Sequence, residues 1–158
     1  MTPVFLQGEA PGWLLFHAVA GFAAVGAVTH LATYTIGLAR GREPWRWRTR
    51  LFGLVVPCCF ALAFALGLAL YPLWRVQVRA LVLDLKAPVI GSLFELKEHL
   101  AALALPLVVG AAVLARKPAA REVRWMAASL AVLGAVLVWT VALLGLYVTA
   151  ARAVGGLL

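Results

Sequence analysis

Four long apolar runs, separated by short polar segments, dominate the sequence. They extend from about Trp13 to Leu38, Leu51 to Trp74, Leu93 to Ala115, and Trp125 to Ala150. Each run exceeds the roughly 20 residues that an α-helix needs to cross a hydrocarbon core of about 30 Å. The pattern predicts an all-α integral membrane protein, an up-down four-helix transmembrane bundle that forms a single membrane domain over residues 1–158.

The composition supports a membrane location. Hydrophobic residues make up 65% of the chain and charged residues 13%, with a mean hydropathy of +0.99, which is far from the average of soluble domains. A net charge of +8 would favour nucleic acid as the partner of a soluble protein, but these basic residues flank the apolar runs. They indicate topology and contact with membrane lipid, and no nucleic-acid partner is expected.

Basic residues are concentrated in two of the three connections between the runs. These two connections hold nine of them, namely Arg40, Arg42, Arg46, Arg48, Arg50, Arg116, Lys117, Arg121 and Arg124. Because loops rich in Lys and Arg stay in the cytoplasm, both termini are predicted to be extracytoplasmic. The arrangement is typical of a multi-pass protein of a bacterial inner (cytoplasmic) membrane, and the Ala, Leu and Arg enrichment suits a GC-rich genome.

The connection between the second and third runs, from Tyr71 to Ser92, interleaves apolar and polar residues. We interpret it as an amphipathic surface segment on the outer side, with Pro72 and Pro88 at its ends. As a helix it would place Arg75 and Arg79 one turn apart on one face. The stretch V-Q-V-R also fits a strand.

The third run begins with a charged stretch that contains Glu95, Lys97, Glu98 and His99, followed by sixteen uncharged residues. Sixteen residues are too few for a full crossing, so the span should begin earlier and carry some of these charges below the surface. A charge at mid-bilayer costs about 2.5 to 3.5 kcal/mol, so such groups usually have partners. Glu95, Glu98 and His99 share one helical face at spacings of i, i+3 and i+4.

His17 and His99 should lie at similar depth near the outer surface, since the first and third spans run in the same direction. Two neutral imidazoles on different helices, with small residues beside them, suit a b-type haem, and Arg75 and Arg79 could meet its propionates. The sequence thus favours a small electron-transfer subunit that exchanges electrons with quinol and with other membrane or redox subunits.

Two other interpretations remain open. In the first, His17, Glu95 and His99 bind a divalent metal ion, with Glu98 as a fourth or supporting group. In the second, the chain is a non-catalytic accessory or assembly subunit of a larger membrane complex without a cofactor. The same polar residues would then be interfacial anchors, with Lys97 extending toward the surface.

The remaining candidate residues carry weaker signals. Thirteen residues separate His30 from His17, which puts the two roughly 140° apart around the helix. His30 is therefore predicted to be a hydrogen-bonded core residue, with proton relay or quinone binding as the alternative. Cys58 and Cys59, adjacent in an apolar run, are interpreted as packing residues. Because nucleotide-binding, covalent-haem and hydrolase motifs are absent, a stand-alone enzyme is not indicated.

Overall fold

The computed structural model describes residues 8–116 and 120–154, and their side chains except those of 81–84 and 152–154. Within these residues, four helices are long and apolar enough to cross a membrane. They are α1 (Ala10–Ala39), α2 (Arg46–Leu73), α3 (Pro88–Arg116) and α4 (Arg121–Val154). The predicted all-α chain with four such helices is confirmed. Lys117 and both chain ends lie outside the described residues, and the orientation in a membrane stays a prediction.

The turn between α1 and α2 depends on two glycines. The N–H groups of Gly41 and Arg42 donate to the carbonyls of Leu38 and Gly37, each at 3.0 Å, in the pattern of a Schellman motif. Gly41 has a φ of 86°, in the left-handed region that glycine enters without a Cβ penalty. A 3-10 turn, Glu43–Trp45, then brings the Trp45 indole onto Gly37, where a Cβ would overlap the ring. The chain is thereby reversed in a few residues, with α2 packed beside α1.

The four helices form a closed ring of neighbours. α1 packs on α2 and α4, α3 also packs on α2 and α4, and α1 and α3 lie diagonally opposite. Small residues allow close approach, as at Gly53, where a Cβ would lie 3.5 Å from the Ala112 carbonyl oxygen. The core is built mainly of small and β-branched side chains, among them Val28, Leu31, Val56, Ala104, Val108 and Ala131.

The connection between α2 and α3 is helical. α2 continues into a π-helix, Trp74–Leu83, followed by a single turn, Asp84–Lys86, before α3 begins at Pro88. The helical interpretation of this segment is therefore confirmed and the strand interpretation is wrong, because its backbone groups bond along the chain and continue α2. Pro72 lies inside α2 rather than at the end of the helix. Trp74 stacks on Phe94 of α3 with ring centroids 3.5 Å apart, which fixes this connection to the bundle.

One carboxylate ties together the end of the bundle that carries the 40–50 connection, which we call the arginine-rich end. Glu43 forms ion pairs of 2.6 Å with Arg46 and with Arg124 of α4. Hydrogen bonds from Arg46 and then from Arg124 hold the pKa of Glu43 below its usual value. The connection after α1 is thus joined to the start of α4, which closes the ring of helices at this end.

Candidate functional site

His17 is a half-buried residue two turns into α1, at the end opposite the arginine-rich end. Its Nδ1 donates a hydrogen bond of 2.9 Å to the carbonyl oxygen of Ala63 on α2. Gly67, one turn further along α2, leaves room for the ring, because a Cβ there would lie 3.2 Å from Cε1 of His17. A carbonyl only accepts, so Nδ1 carries the proton and Nε2 of the neutral ring keeps its lone pair.

Lys97 and Glu98 of α3 lie near His17, and we call these three residues the interior polar layer, although 41% of the Glu98 side chain is exposed. Nζ of Lys97 lies 3.1 Å from Oε1 of Glu98, and both groups are within electrostatic range of His17. Nζ of Lys97 also lies 4.5 Å from the ring centroid of Phe94. Only 14% of the Lys97 side chain is exposed, so this lysine lies inside the bundle rather than extending to the surface.

His99 lies on the exposed side of α3. Its Nδ1 donates to the carbonyl oxygen of Glu95, one turn earlier, at 2.7 Å, so in the neutral ring Nε2 carries the lone pair. The Glu95 carboxylate forms a 2.6 Å ion pair with Arg79 of the π-helix. Arg75, four residues before Arg79, is exposed and lines an open surface depression with it. We call this set, His99, Glu95, Arg79 and Arg75, the outer polar surface.

The structure divides the predicted site residues between these two places. Three of the four proposed haem-binding residues, His99, Arg79 and Arg75, belong to the outer polar surface. His17 belongs to the interior polar layer on the diagonal helix, whereas His99 is exposed on α3, and a haem held between these two imidazoles stays a prediction. The four proposed metal ligands are divided in the same way. Among the described residues, no group of three or more His, Cys, Asp or Glu side chains could hold a metal ion.

His30 differs from the expectation of a core residue, because it is exposed on α1. Its ring stacks on Tyr34 with centroids 5.8 Å apart and lies 4.9 Å from Phe52 of α2. The guanidinium carbon of Arg48 lies 5.6 Å from the centroid of the Tyr34 ring. Sequence reasoning missed Tyr34, Phe52 and Arg48 as partners of His30. The available signal was the i, i+4 spacing of His30 with Tyr34 and of Arg48 with Phe52 on consecutive helices.

Comparison with protein-family models, curated proteins and solved structures finds no match to this chain.

Proposed function

We propose that the chain is a small electron-transfer subunit of a larger complex in a bacterial inner membrane. A b-type haem binds at its outer polar surface, with Nε2 of His99 as an axial ligand. The observation that carries this proposal is the hydrogen bond from Nδ1 of His99 to the Glu95 carbonyl, which orients the ring and, in its neutral form, leaves Nε2 available as a ligand. Axial histidines need this tautomer, and the hydrogen bond to Nδ1 raises their basicity as ligands.

The charges beside His99 suit the haem propionates. The Glu95 carboxylate, one turn before His99 on α3, pairs with Arg79, and Arg75 is exposed four residues before Arg79. A guanidinium recognises a carboxylate through two parallel N–H groups. The haem would carry the redox chemistry, while this chain would position it for electron exchange with quinol and with a redox partner on the extracytoplasmic side. The second axial ligand would come from a neighbouring subunit, because His17 belongs to the interior layer.

An absorption spectrum tests this proposal. The protein, purified from cells supplied with haem, should show a Soret band and a reduced α-band after dithionite. His99→Ala should remove most of the Soret intensity. His30→Ala is the matched control, because His30 is also exposed but lies among aromatic rings, and it should leave the spectrum unchanged. A preparation without either band, or a His99→Ala variant with the full wild-type band, would contradict the proposal.

A second candidate function is an accessory or assembly subunit without a cofactor. The observation that favours it is the packing of the core, which in the described residues is closed by small apolar side chains while the polar face of α3 remains exposed. A helix of a partner subunit could cover that face. Under this proposal the purified protein is colourless, and His99→Leu lowers the yield of a larger complex on native gels while the chain's own Tm stays unchanged.

Elemental analysis of the same preparation tests the metal alternative. If the protein contains stoichiometric metal without porphyrin, and both His17→Ala and His99→Ala lose it, a metal site between these residues would be favoured over the haem and accessory functions. Loss in only one variant would place the ion at one of the two histidines, and not between them.

A further inference from the structure

Four side chains form a two-by-two ladder in the groove between α1 and α2 near the arginine-rich end. His30 and Tyr34 lie on α1, and Phe52 and Arg48 lie opposite them on α2. His30 faces Phe52 with centroids 4.9 Å apart, and Tyr34 faces Arg48 at 5.6 Å. Phe52 and Tyr34 also contact each other at 5.5 Å. We call these four residues the groove ladder.

Arg48 is held by aromatic rings. Its guanidinium carbon lies 5.6 Å from the ring centroids of both Tyr34 and Trp47. The nearby carboxylate, Glu43, is already bound by Arg46 and Arg124. Among the described residues, no ion pair to Arg48 is present, and its side chain is exposed. A guanidinium fixed by ring contacts is suited to bind a phosphate, because its planar N–H groups match phosphate oxygens and little side-chain entropy remains to be lost.

The ladder continues one helical turn from Arg48 toward the middle of the bundle. Four residues of α-helix rise by about 6 Å, so His30 and Phe52 lie that much deeper than Tyr34 and Arg48. In a glycerophospholipid the ester carbonyls lie below the phosphate by a comparable distance. The exposed imidazole of His30 has an N–H that can donate to such a carbonyl. Trp47, which is 61% exposed, stands beside Arg48 as aromatic residues do at head-group level.

We propose that the groove ladder is a binding site for an anionic phospholipid, whose phosphate binds Arg48 and whose ester carbonyl accepts a hydrogen bond from His30. A lipid is favoured over soluble phosphate because the polar atoms of the site continue into the apolar section of the helices. An anionic lipid is favoured over a zwitterionic one because Arg40 and Arg42, both exposed, lie in the connection at the same end. The site is separate from the outer polar surface, so it does not depend on the proposed haem.

Thermal unfolding of the full chain in a neutral detergent tests this site. Short-chain phosphatidylglycerol should raise Tm in a saturable manner, with an apparent Kd about tenfold lower than that of phosphatidylcholine of the same chain length, because its net negative charge is attracted to the nearby arginines. Inorganic phosphate should leave Tm unchanged at the same concentrations. Arg48→Gln should weaken the phosphatidylglycerol response about tenfold. Arg50→Gln, which removes the same charge from the same helix, should respond like the wild type.

Two further variants keep the test decisive. Arg48→Lys retains the charge without the planar group, so its response should lie between those of the wild type and Arg48→Gln. His30→Phe preserves a ring and should weaken phosphatidylglycerol binding severalfold while leaving the preference for phosphatidylglycerol in place. Equal responses of Arg48→Gln and Arg50→Gln, equal responses to the two lipids, or a full response to inorganic phosphate would each overturn the proposal.

Discussion

The imidazole of His17 and the main-chain carbonyl of Ala63 are joined across two helices, with Nδ1 2.9 Å from the oxygen. A hydrogen bond from a histidine to a carbonyl of another helix fixes both the ring orientation and the position of its proton. His99 has the same tautomer through a carbonyl on its own helix. These two rings therefore present the same nitrogen, Nε2, in two different surroundings.

The ring proton of both residues can be located by ¹⁵N NMR of histidine-labelled protein above the pH at which the rings titrate. His17 and His99 should show a protonated Nδ1 and an unprotonated Nε2. His17→Asn and His99→Asn assign the two signals. A protonated Nε2 at either position would contradict the hydrogen bond described for that residue.

Gly37→Ala should destabilise the protein, because the new Cβ would overlap the Trp45 indole and force the turn between α1 and α2 to shift. The expected loss is about 1 to 3 kcal/mol, as for other overpacked sites. Gly26→Ala is the matched control on the same helix, since nothing lies within 4 Å of a Cβ at that position. Its stability should be unchanged or should rise by up to about 1 kcal/mol, from the lower helix propensity of glycine. Reversible unfolding in detergent measures both, and equal effects would be evidence against the Trp45 contact.

Trp139→Phe should weaken the contact between α4 and α1, because the indole N–H of Trp139 donates to Oγ1 of Thr29 at 3.0 Å. Hydrogen bonds between membrane helices contribute about 0.6 kcal/mol on average and rarely more than about 1.7. A double-mutant cycle with Thr29→Val isolates this pair, and it should give a coupling free energy in that range. Strictly additive losses would show that the hydrogen bond contributes nothing to stability.

Glu43→Gln should lower the Tm of the protein at neutral pH and reduce the fall of Tm on acidification. The pKa of Glu43 is lower in the folded chain than in the unfolded chain. Its ion pairs therefore stabilise the fold fully at pH values above the pKa of Glu43 in the unfolded chain. That contribution is lost as the pH falls through the folded pKa. The difference in Tm between wild type and Glu43→Gln should therefore shrink on acidification, and it should also shrink at high salt. Glu122→Gln removes an exposed carboxylate at the start of α4 and leaves the Glu43 ion pairs intact, so it serves as the control and should lower Tm less.

The positions of the four long helices were predictable because run length and loop charge determine them without any tertiary information. The rotation of α3 about its own axis could not be predicted in this way. Glu95, Glu98 and His99 share a face on a helical wheel, yet Glu98 is half-buried and His99 is exposed. Adjacent residues point about 100° apart, and the boundary between the packed and the exposed side passes between these two. That boundary depends on the neighbouring helices, which the periodicity of one segment does not specify.

The partners of individual polar residues could not be predicted from the sequence either. Lys97 lies inside the bundle, where Glu98 pairs with it and its stem packs beside Gly145 of α4. A glycine on the following helix gives no local signal for this. The proton on His17 is determined by a carbonyl of α2, and main-chain carbonyls carry no sequence signature.

The contacts of Arg124 and Trp139 have a consequence for the order in which the protein assembles. Both belong to α4, the last of the four helices in the chain, and their partners Glu43 and Thr29 belong to its first hairpin. During synthesis the first three helices would emerge with this side of α1 uncovered. The ring closes only when α4 arrives, so in a membrane this side of the hairpin would face lipid until then.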